Sequence, residues 1–512
     1  MKKLSFVQNT ILLVISNLIT GSLNFLFSII LSREIGANGV GLYQIVMPLY
    51  TLFICFTSGG VVTAISKIVA EHNSRHNMKQ LYKTISTSIT FFSFWTILVS
   101  IFLVIFSPFI STHMLKDTRV YLSILVFVPA LLFIAISSIL KGYFYGMQNT
   151  AFPAIIDIVE KSIRITMLLT LTVTLKDCEL NIRVAGAVSA MTAGEFISLV
   201  LLYIFYKKSY FDVKLPKQNK DNGLQIIADV LVTSLPLCIN GFLATILGTF
   251  IAIMIPQRLQ CAGFSPETSL ALYGKVSGMA LTIIMFPSVI ITSLSTILVP
   301  IISEESAKYS INNKGKYNIN KKIYASLKVT VLVASVSAAI FFSLSDELGM
   351  LFYNRNDLGG IVFSLSFGVL FVYIESTLFG ILNGLGKQKI LLRNTLIMSS
   401  IDVILLYILL GNPKINIYGF AIDFCLSHIM GSIVSAIEVK KSTGVKIDLN
   451  ELFLLPLSAS FIEILIINSV KIPLYKALQN INLTTTALLF IGTIAFSVFY
   501  VLFKKIFRIA SC

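Results

Sequence analysis

The stretch PAIIDIVEKSIRITMLLTLTVTL, Pro153 to Leu175, decides how the chain is read. It has the length and apolarity of a membrane span, yet its first half carries Asp157, Glu160, Lys161 and Arg164. At about 100° per helical residue, these four and Pro153 fall within one arc about 100° wide. The remaining faces are Ile, Val, Leu, Met and Thr. A charge near the bilayer centre costs about 2.5–3.5 kcal/mol on insertion scales. A stripe of four therefore faces other helices or a water-filled cavity rather than lipid. Two readings stand side by side. Glu160 and Arg164, at i and i+4, can form a self-neutralising pair that locks helices together. Alternatively, the stripe is one polar wall of a transport pathway, the reading that the rest of the chain favours.

The composition has the same character. The chain has 512 residues, 56% hydrophobic and 12% charged, with a mean hydropathy of +0.86. A soluble domain carries about 25% charged residues, so this is the profile of a polytopic membrane protein. Leu4 to Ser32 holds no charge. It is too long for a signal-peptide core and lacks a small-residue cleavage site, so it reads as a retained first span. The cysteines, Cys55, Cys178, Cys238, Cys261, Cys425 and Cys512, are scattered with no C-x-x-C, which points to neither a disulfide framework nor a metal site. A net charge of +16 fits basic loops meeting anionic lipid, not nucleic acid.

Spans of about 20 apolar residues recur along the chain, and fourteen are expected. With the N-terminus inside, cytoplasmic segments hold most of the 40 Lys and Arg. One loop carries Lys207, Lys208, Lys214, Lys217 and Lys220; another carries Lys308, Lys314, Lys316, Lys321 and Lys322. This bias predicts a multi-pass protein of the cell membrane with both termini cytoplasmic. No connection leaves room for a soluble catalytic or nucleotide-binding domain, and GxxxxGK[ST] is absent. HExxH and GxSxG are absent too, and Ser138 to Lys141 fits S-x-x-K only at the close of a span, without its partner motifs. His72 and His76 are i,i+4 in a cytoplasmic connection, where a metal pair competes with a solvated loop. The chain is not expected to be an enzyme, and no cofactor or metal is expected.

An internal repeat is visible. Ser138 to Gly142 followed by Gly146 recurs as Ser376 to Gly380 followed by Gly384. Leu42-Tyr43 recurs as Leu272-Tyr273, and Gly186 as Gly419, which sets Glu195 opposite His428; the 238-residue offset of the Ser138/Ser376 match sets Arg164 opposite Asp402. The matches lie six spans apart. Six is even, so the copies share one orientation: parallel repeats. The predicted fold is all-α, with two parallel six-helix repeats plus two extra helices. Residues 1–206 form the N-terminal lobe, 207–224 a cytoplasmic linker, 225–437 the C-terminal lobe, and 451–507 helices thirteen and fourteen. Pro48, Gly59-Gly60, Pro236 with Gly241, Pro287 and Pro300 are expected to interrupt the second, seventh and eighth spans. The glycine pairs Gly142/Gly146 and Gly380/Gly384 predict close helix packing.

Several segments together resemble one known family. They are Ser32-Arg33-Glu34-Ile35-Gly36 leading to Gly41-Leu42-Tyr43; Gly194-Glu195; Pro256 to Gln260; Ala271 to Gly274 with Gly278-Met279-Ala280; Val299-Pro300 with Ser303-Glu304; and Gly380 to Lys387. The chain resembles the stage V sporulation protein B-like polysaccharide exporters of the MATE-like MOP superfamily, relatives of the lipid II flippases. The resemblance implies two six-helix lobes in a V around a central cavity, with alternating access. It also implies movement of undecaprenyl-linked sugar precursors for peptidoglycan or polysaccharide, with spore cortex as the destination. The family's basic cavity residues map onto Arg164, and onto Arg33 and Arg258 at the external ends of spans one and seven. Relatives often carry a basic residue inside the first helix; here the polar residues are Asn17, Thr20, Ser22 and Asn24.

The expected substrate-binding set is therefore Arg164, Lys161, Glu160, Asp157, Glu195, Arg33, Arg258 and Asp402. The expected partners are a lipid-linked oligosaccharide diphosphate, membrane lipids and cell-wall synthesis enzymes. A cation-coupled multidrug or organic-cation exporter of the same fold is the alternative, and it would favour carboxylates as substrate partners. A membrane transferase would need a long external catalytic loop, and a non-transporting scaffold for cell-wall enzymes is the fourth reading.

Overall fold

The computed structural model describes residues 6–211, 223–311, 315–445, 448 and 450–510. Among them every regular element is helical. The loop residues Lys214, Lys217, Lys220 and Lys314, most of the 207–224 linker, and Cys512 lie outside the described residues.

Two compact units divide the chain. The first takes residues 1–257 and 266–274, the second 258–265 and 275–512. The first unit holds α1 (Phe6–Ser58), α2 (Val61–Ser74), α3 (Met78–Phe109), α4 (Tyr121–Gly146), α5 (Ala151–Thr174), α6 (Leu180–Phe211), most of α7 (Gly223–Cys261) and α8 (Pro266–Tyr273). By packing, most of α7 therefore goes with the first unit. The physical reason is a close crossing of α7 with α1. A Cβ on Gly241 would lie 2.9 Å from Cys55 Sγ, and one on Gly60 would lie 2.6 Å from the Ser234 carbonyl. The buried core of this unit joins Ile65, Leu81, Ile85, Ile139, Leu140, Phe144, Ile156, Leu202 and Val230, from six of its helices.

The second unit continues through α9 (Leu281–Met285), α10 (Ser288–Ile311), α11 (Gly315–Ser343), α12 (Ser345–Tyr353), α13 (Gly359–Ser366), α14 (Val369–Gly384), α15 (Gln388–Leu410), α16 (Tyr418–Thr443), α17 (Leu455–Leu478) and α18 (Ile481–Ala510). Its core is built from Ile302, Ile323, Val331, Leu378, Ile381, Leu382 and Val439.

Twelve helical segments among the described residues are long and apolar enough to span a membrane, and thirteen with α13 and α14 taken as one span bent by 55°. The charged α5 is not among them, and the first of them joins two expected spans into one helix broken at Gly36. Gly36 has φ 69° and ψ 179°, a left-handed φ that a side chain disfavours.

The breaks differ in part from expectation. Gly60, at φ 74°, separates α1 from α2, and the chain leaves the helix at Phe286-Pro287. A π-helix at Gly274–Ala280 also distorts the eighth span, an irregularity the sequence did not announce. Pro48, Pro236 and Pro300 instead stay inside continuous helices. A proline removes one backbone donor, and neighbouring groups can satisfy the carbonyl it frees.

Both glycine pairs seat a helix. Cβ atoms on Gly142 and Gly146 would come within 2.9 Å of Ile65 Cβ and 2.6 Å of the Ser66 carbonyl, on α2. On Gly380 and Gly384 they would come within 2.9 Å of Ser295 Cβ and 3.0 Å of the Val299 carbonyl, on α10. The same device thus seats α4 on α2 and α14 on α10.

Candidate functional site

The charged stripe starts six residues into α5, past its first turn. Pro153 is tolerated in this first turn, where its missing N–H costs no helical hydrogen bond. From there the 3.6-residue period carries Asp157, Glu160, Lys161 and Arg164 onto one face. That face packs against α1 and α6, and α4 precedes it across a short turn at 147–150.

Arg164 Nη2 donates to Glu160 Oε1 at 2.7 Å and to Glu195 Oε1 of α6 at 3.4 Å. Lys161 Nζ reaches the same Glu160 oxygen at 3.0 Å. Glu160 and Arg164 are 3% and 8% exposed. Phe27 of α1 places its ring 6.0 Å from the guanidinium carbon, within cation–π range. Gly194 lets α6 approach α5 closely here: a Cβ there would lie 3.3 Å from the Glu160 carbonyl.

A second pair extends the cluster. Lys141 Nζ of α4 donates to Asp157 Oδ1 at 2.7 Å. Three cations, Lys141, Lys161 and Arg164, therefore face three carboxylates, Asp157, Glu160 and Glu195. Buried ions persist only when paired, and removing one partner of such a pair costs about 3–5 kcal/mol. Beside these pairs, the buried Arg164 Nε and the Tyr50 hydroxyl of α1 have no hydrogen-bond partner among the described residues. The neighbouring Tyr43 hydroxyl donates to Met191 Sδ at 2.7 Å.

Five of the eight expected residues thus come together: Asp157, Glu160, Lys161, Arg164 and Glu195. Arg33 lies on the exposed surface of α1, three residues before the Gly36 break. Arg258 belongs to the second unit, where Nε donates to the Tyr407 carbonyl at 2.9 Å and the guanidinium lies 3.9 Å from the Tyr407 ring centre. Asp402, on α15, accepts from Ser427, which also approaches Asp423 at 3.3 Å. Beside them His428 Nδ1 and Glu375 Oε2 are 2.6 Å apart. These five residues form a separate, mostly acidic cluster on α14, α15 and α16. No group of three or more His, Cys, Asp or Glu side chains among the described residues is placed to hold a metal ion.

Lys141 was missed from sequence. The signal was there: it stands five residues before the end of α4, and Asp157 six residues after the start of α5. Two antiparallel helices joined by a short turn bring such positions to one depth.

The fold is shared with membrane transporters of known structure. A lipid II flippase, MurJ, in an inward closed conformation matches with a TM-score of 0.69 at 15% identity, covering 97% of this chain and 100% of that one. An inward-facing multidrug resistance MATE family transporter of the MOP superfamily matches with a TM-score of 0.63 at 12% identity, covering 85% and 99%. The chain therefore shares the helical architecture of these two structures. The chain belongs to the polysaccharide biosynthesis protein family, whose pattern matches residues 6–306. Stage V sporulation protein B of Bacillus subtilis (strain 168) is 28% identical over 453 residues, 88% of this chain and 86% of that protein. The protein is a multi-pass membrane protein of this family.

Proposed function

We propose that the protein is a flippase for an undecaprenyl-linked oligosaccharide diphosphate, working by alternating access with both termini cytoplasmic. A peptidoglycan or polysaccharide precursor is the cargo, and spore cortex its proposed destination; a relative named as a sporulation protein supports a role in sporulation. The observation that carries the reading is the buried Arg164–Glu160 contact of 2.7 Å, flanked by Lys161 and Lys141, in a membrane-length helix.

A diphosphate needs cations held away from lipid, and a guanidinium offers it a planar, permanently charged fork. Arg164 stands eleven residues after Pro153. At 1.5 Å per residue that is about 16 Å along the helix, near mid-bilayer. In this reading Glu160 and Glu195 hold Arg164 while the site is empty, and the headgroup takes their place. Parallel six-helix repeats, duplicated at residues 1–206 and 225–437, supply the two halves of the transport cycle.

The test is arrival of a labelled lipid-linked disaccharide diphosphate at the outer face of vesicles. Arg164→Ala, inserted at wild-type levels, should abolish it. Normal transport by that variant would make Arg164 a structural charge.

One observation favours a second reading, the cation-coupled exporter. Glu375, Asp402 and Asp423 gather with Ser427 and His428, and none of their hydrogen-bond partners among the described residues is Lys or Arg. Saturable binding of a cationic dye, with no binding of the lipid-linked diphosphate, would support it over the first.

A further inference from the structure

We propose that Lys141 is a substrate-contacting residue: it receives the anionic headgroup before Arg164 does, exchanging Asp157 for a phosphate oxygen. This inference rests on the flippase reading and assigns a residue that the S-x-x-K pattern at the close of α4 gave no reason to choose.

Three observations carry it. The first is a gradient of exposure along the stripe. The Lys141 and Asp157 side chains are 24% and 30% exposed, against 10% and 4% for Arg164 and Glu160. Lys161 and Glu195 fall between, at 19% and 16%. A charged headgroup arriving from water meets the Lys141 pair at a smaller desolvation cost than the Arg164 pair.

The second is spacing. Asp157 and Arg164 are seven residues apart, about 10 Å along the helix. A single diphosphate is too short to bind both levels at full strength. Lys161 lies between them in sequence and pairs with the Glu160 oxygen that also holds Arg164. The cations thus form rungs, Lys141, then Lys161, then Arg164, down which a headgroup can be handed.

The third is how each cation is held. Arg164 is shared by two carboxylates, whereas among the described residues the one carboxylate hydrogen-bonded to Lys141 is Asp157. An ammonium with one partner at a part-exposed site is the easier one to take over. Lysine suits this role, being a point charge that adapts to a moving ligand, while arginine's fork suits a final, fixed grip.

The experiment measures binding of undecaprenyl diphosphate to the purified full-length protein in nanodiscs, with melting temperature as a control. Lys141→Ala should weaken binding about tenfold, the usual loss for one charge-assisted hydrogen bond. Lys141→Arg should restore most of it. Asp157→Asn should tighten binding, because it frees the ammonium, while lowering the melting temperature. The charge-swapped double variant Lys141→Asp with Asp157→Lys keeps the ion pair between α4 and α5. It should keep the melting temperature yet bind weakly.

A purely structural tether gives the opposite pattern: unchanged affinity in Lys141→Ala and Asp157→Asn, and full function in the swap. That result, with wild-type binding intact and Arg164→Ala deficient, overturns the role of Lys141 alone. If the wild-type protein does not bind undecaprenyl diphosphate, the flippase reading fails and takes this inference with it.

Discussion

Glu160 and Arg164 stand one helical turn apart on α5, joined at 2.7 Å between Oε1 and Nη2, and both are buried. The contact is the i,i+4 pair of the self-neutralising reading, but it does not close on itself. Glu195 approaches Arg164 from α6, Lys161 competes for Glu160, and Arg164 Nε has no hydrogen-bond partner among the described residues. The guanidinium therefore keeps donor capacity that a structural pair would have used.

The first prediction follows from that spare capacity. Arg164→Ala should abolish flipping, and Arg164→Lys should retain partial activity, keeping the charge but losing the fork. Glu160→Gln should be milder, since Glu195 still faces the arginine. Stability should fall in Arg164→Ala by about 3–5 kcal/mol, the cost of leaving a buried carboxylate without its main partner. Outer-face accessibility of labelled substrate, normalised to inserted protein, checks the first part. Thermal unfolding in detergent checks the second.

Helix packing supplies the second prediction. The Cβ of any residue replacing Gly146 would meet the Ser66 carbonyl at 2.6 Å, a backbone atom that cannot swing aside. Gly146→Leu should destabilise the protein by about 1–3 kcal/mol, the usual cost of overpacking. Gly384→Leu should act in the same direction, against the Val299 carbonyl at 3.0 Å. Equal melting temperatures for the variants and wild type would contradict the close approach.

A third prediction concerns the crossing of α1 and α7. Cys238 Sγ donates to the Cys55 carbonyl at 3.2 Å, and Cys55 Sγ to the Cys238 carbonyl at 3.6 Å. Gly59 and Gly241 leave space beside each sulfur. Diamide should join the two thiols: each loses its hydrogen, and the azo bond takes up both electrons and both protons to become a hydrazine. Thiol titration should fall by one pair in wild type. It should be unchanged by diamide in Cys55→Ser or Cys238→Ser.

The fourth prediction is a pH dependence outside the spans. Between α12 and α13, Asp357 accepts from Arg355 at 2.8 and 2.6 Å and pairs with Lys275 at 2.7 Å. The Arg355 hydrogen bonds, aided by Lys275, hold the Asp357 carboxyl well below the ordinary range. A depressed carboxylate contributes stability above its unfolded value of about 3.9 and loses it as pH falls further. Wild type should therefore lose melting temperature on acidification below about pH 4 more steeply than Asp357→Asn. The difference should be small, because Asp357 is 43% exposed and solvent screens it. Parallel melting curves would remove the assignment.

Much of this molecule follows from local rules. Composition and apolar runs of about 20 residues require a polytopic helical protein, because a helix of that length satisfies its backbone groups within one span, whereas a barrel strand crosses in about 10 residues. Helical periodicity alone places Asp157, Glu160, Lys161 and Arg164 on one face, and a charged face away from lipid. The small-residue pairs Gly142/Gly146 and Gly380/Gly384 announce close packing in sequence, because only a missing side chain lets backbones approach so closely.

What pairs with what was decided by tertiary structure. Lys141 and Glu195 reach the stripe because α4 and α6 pack beside α5, and side-chain reach across helices is not a periodic signal. The same applies to Arg258, whose guanidinium finds the Tyr407 ring and carbonyl 149 residues away. It applies also to α7, which packs with the first unit through Gly60 and Gly241, a contact that no local pattern announces. Proline identity did not settle the breaks: Pro287 ends a helix, whereas Pro48, Pro236 and Pro300 do not. Whether a freed carbonyl finds a partner depends on the neighbouring helix, which only the folded chain supplies.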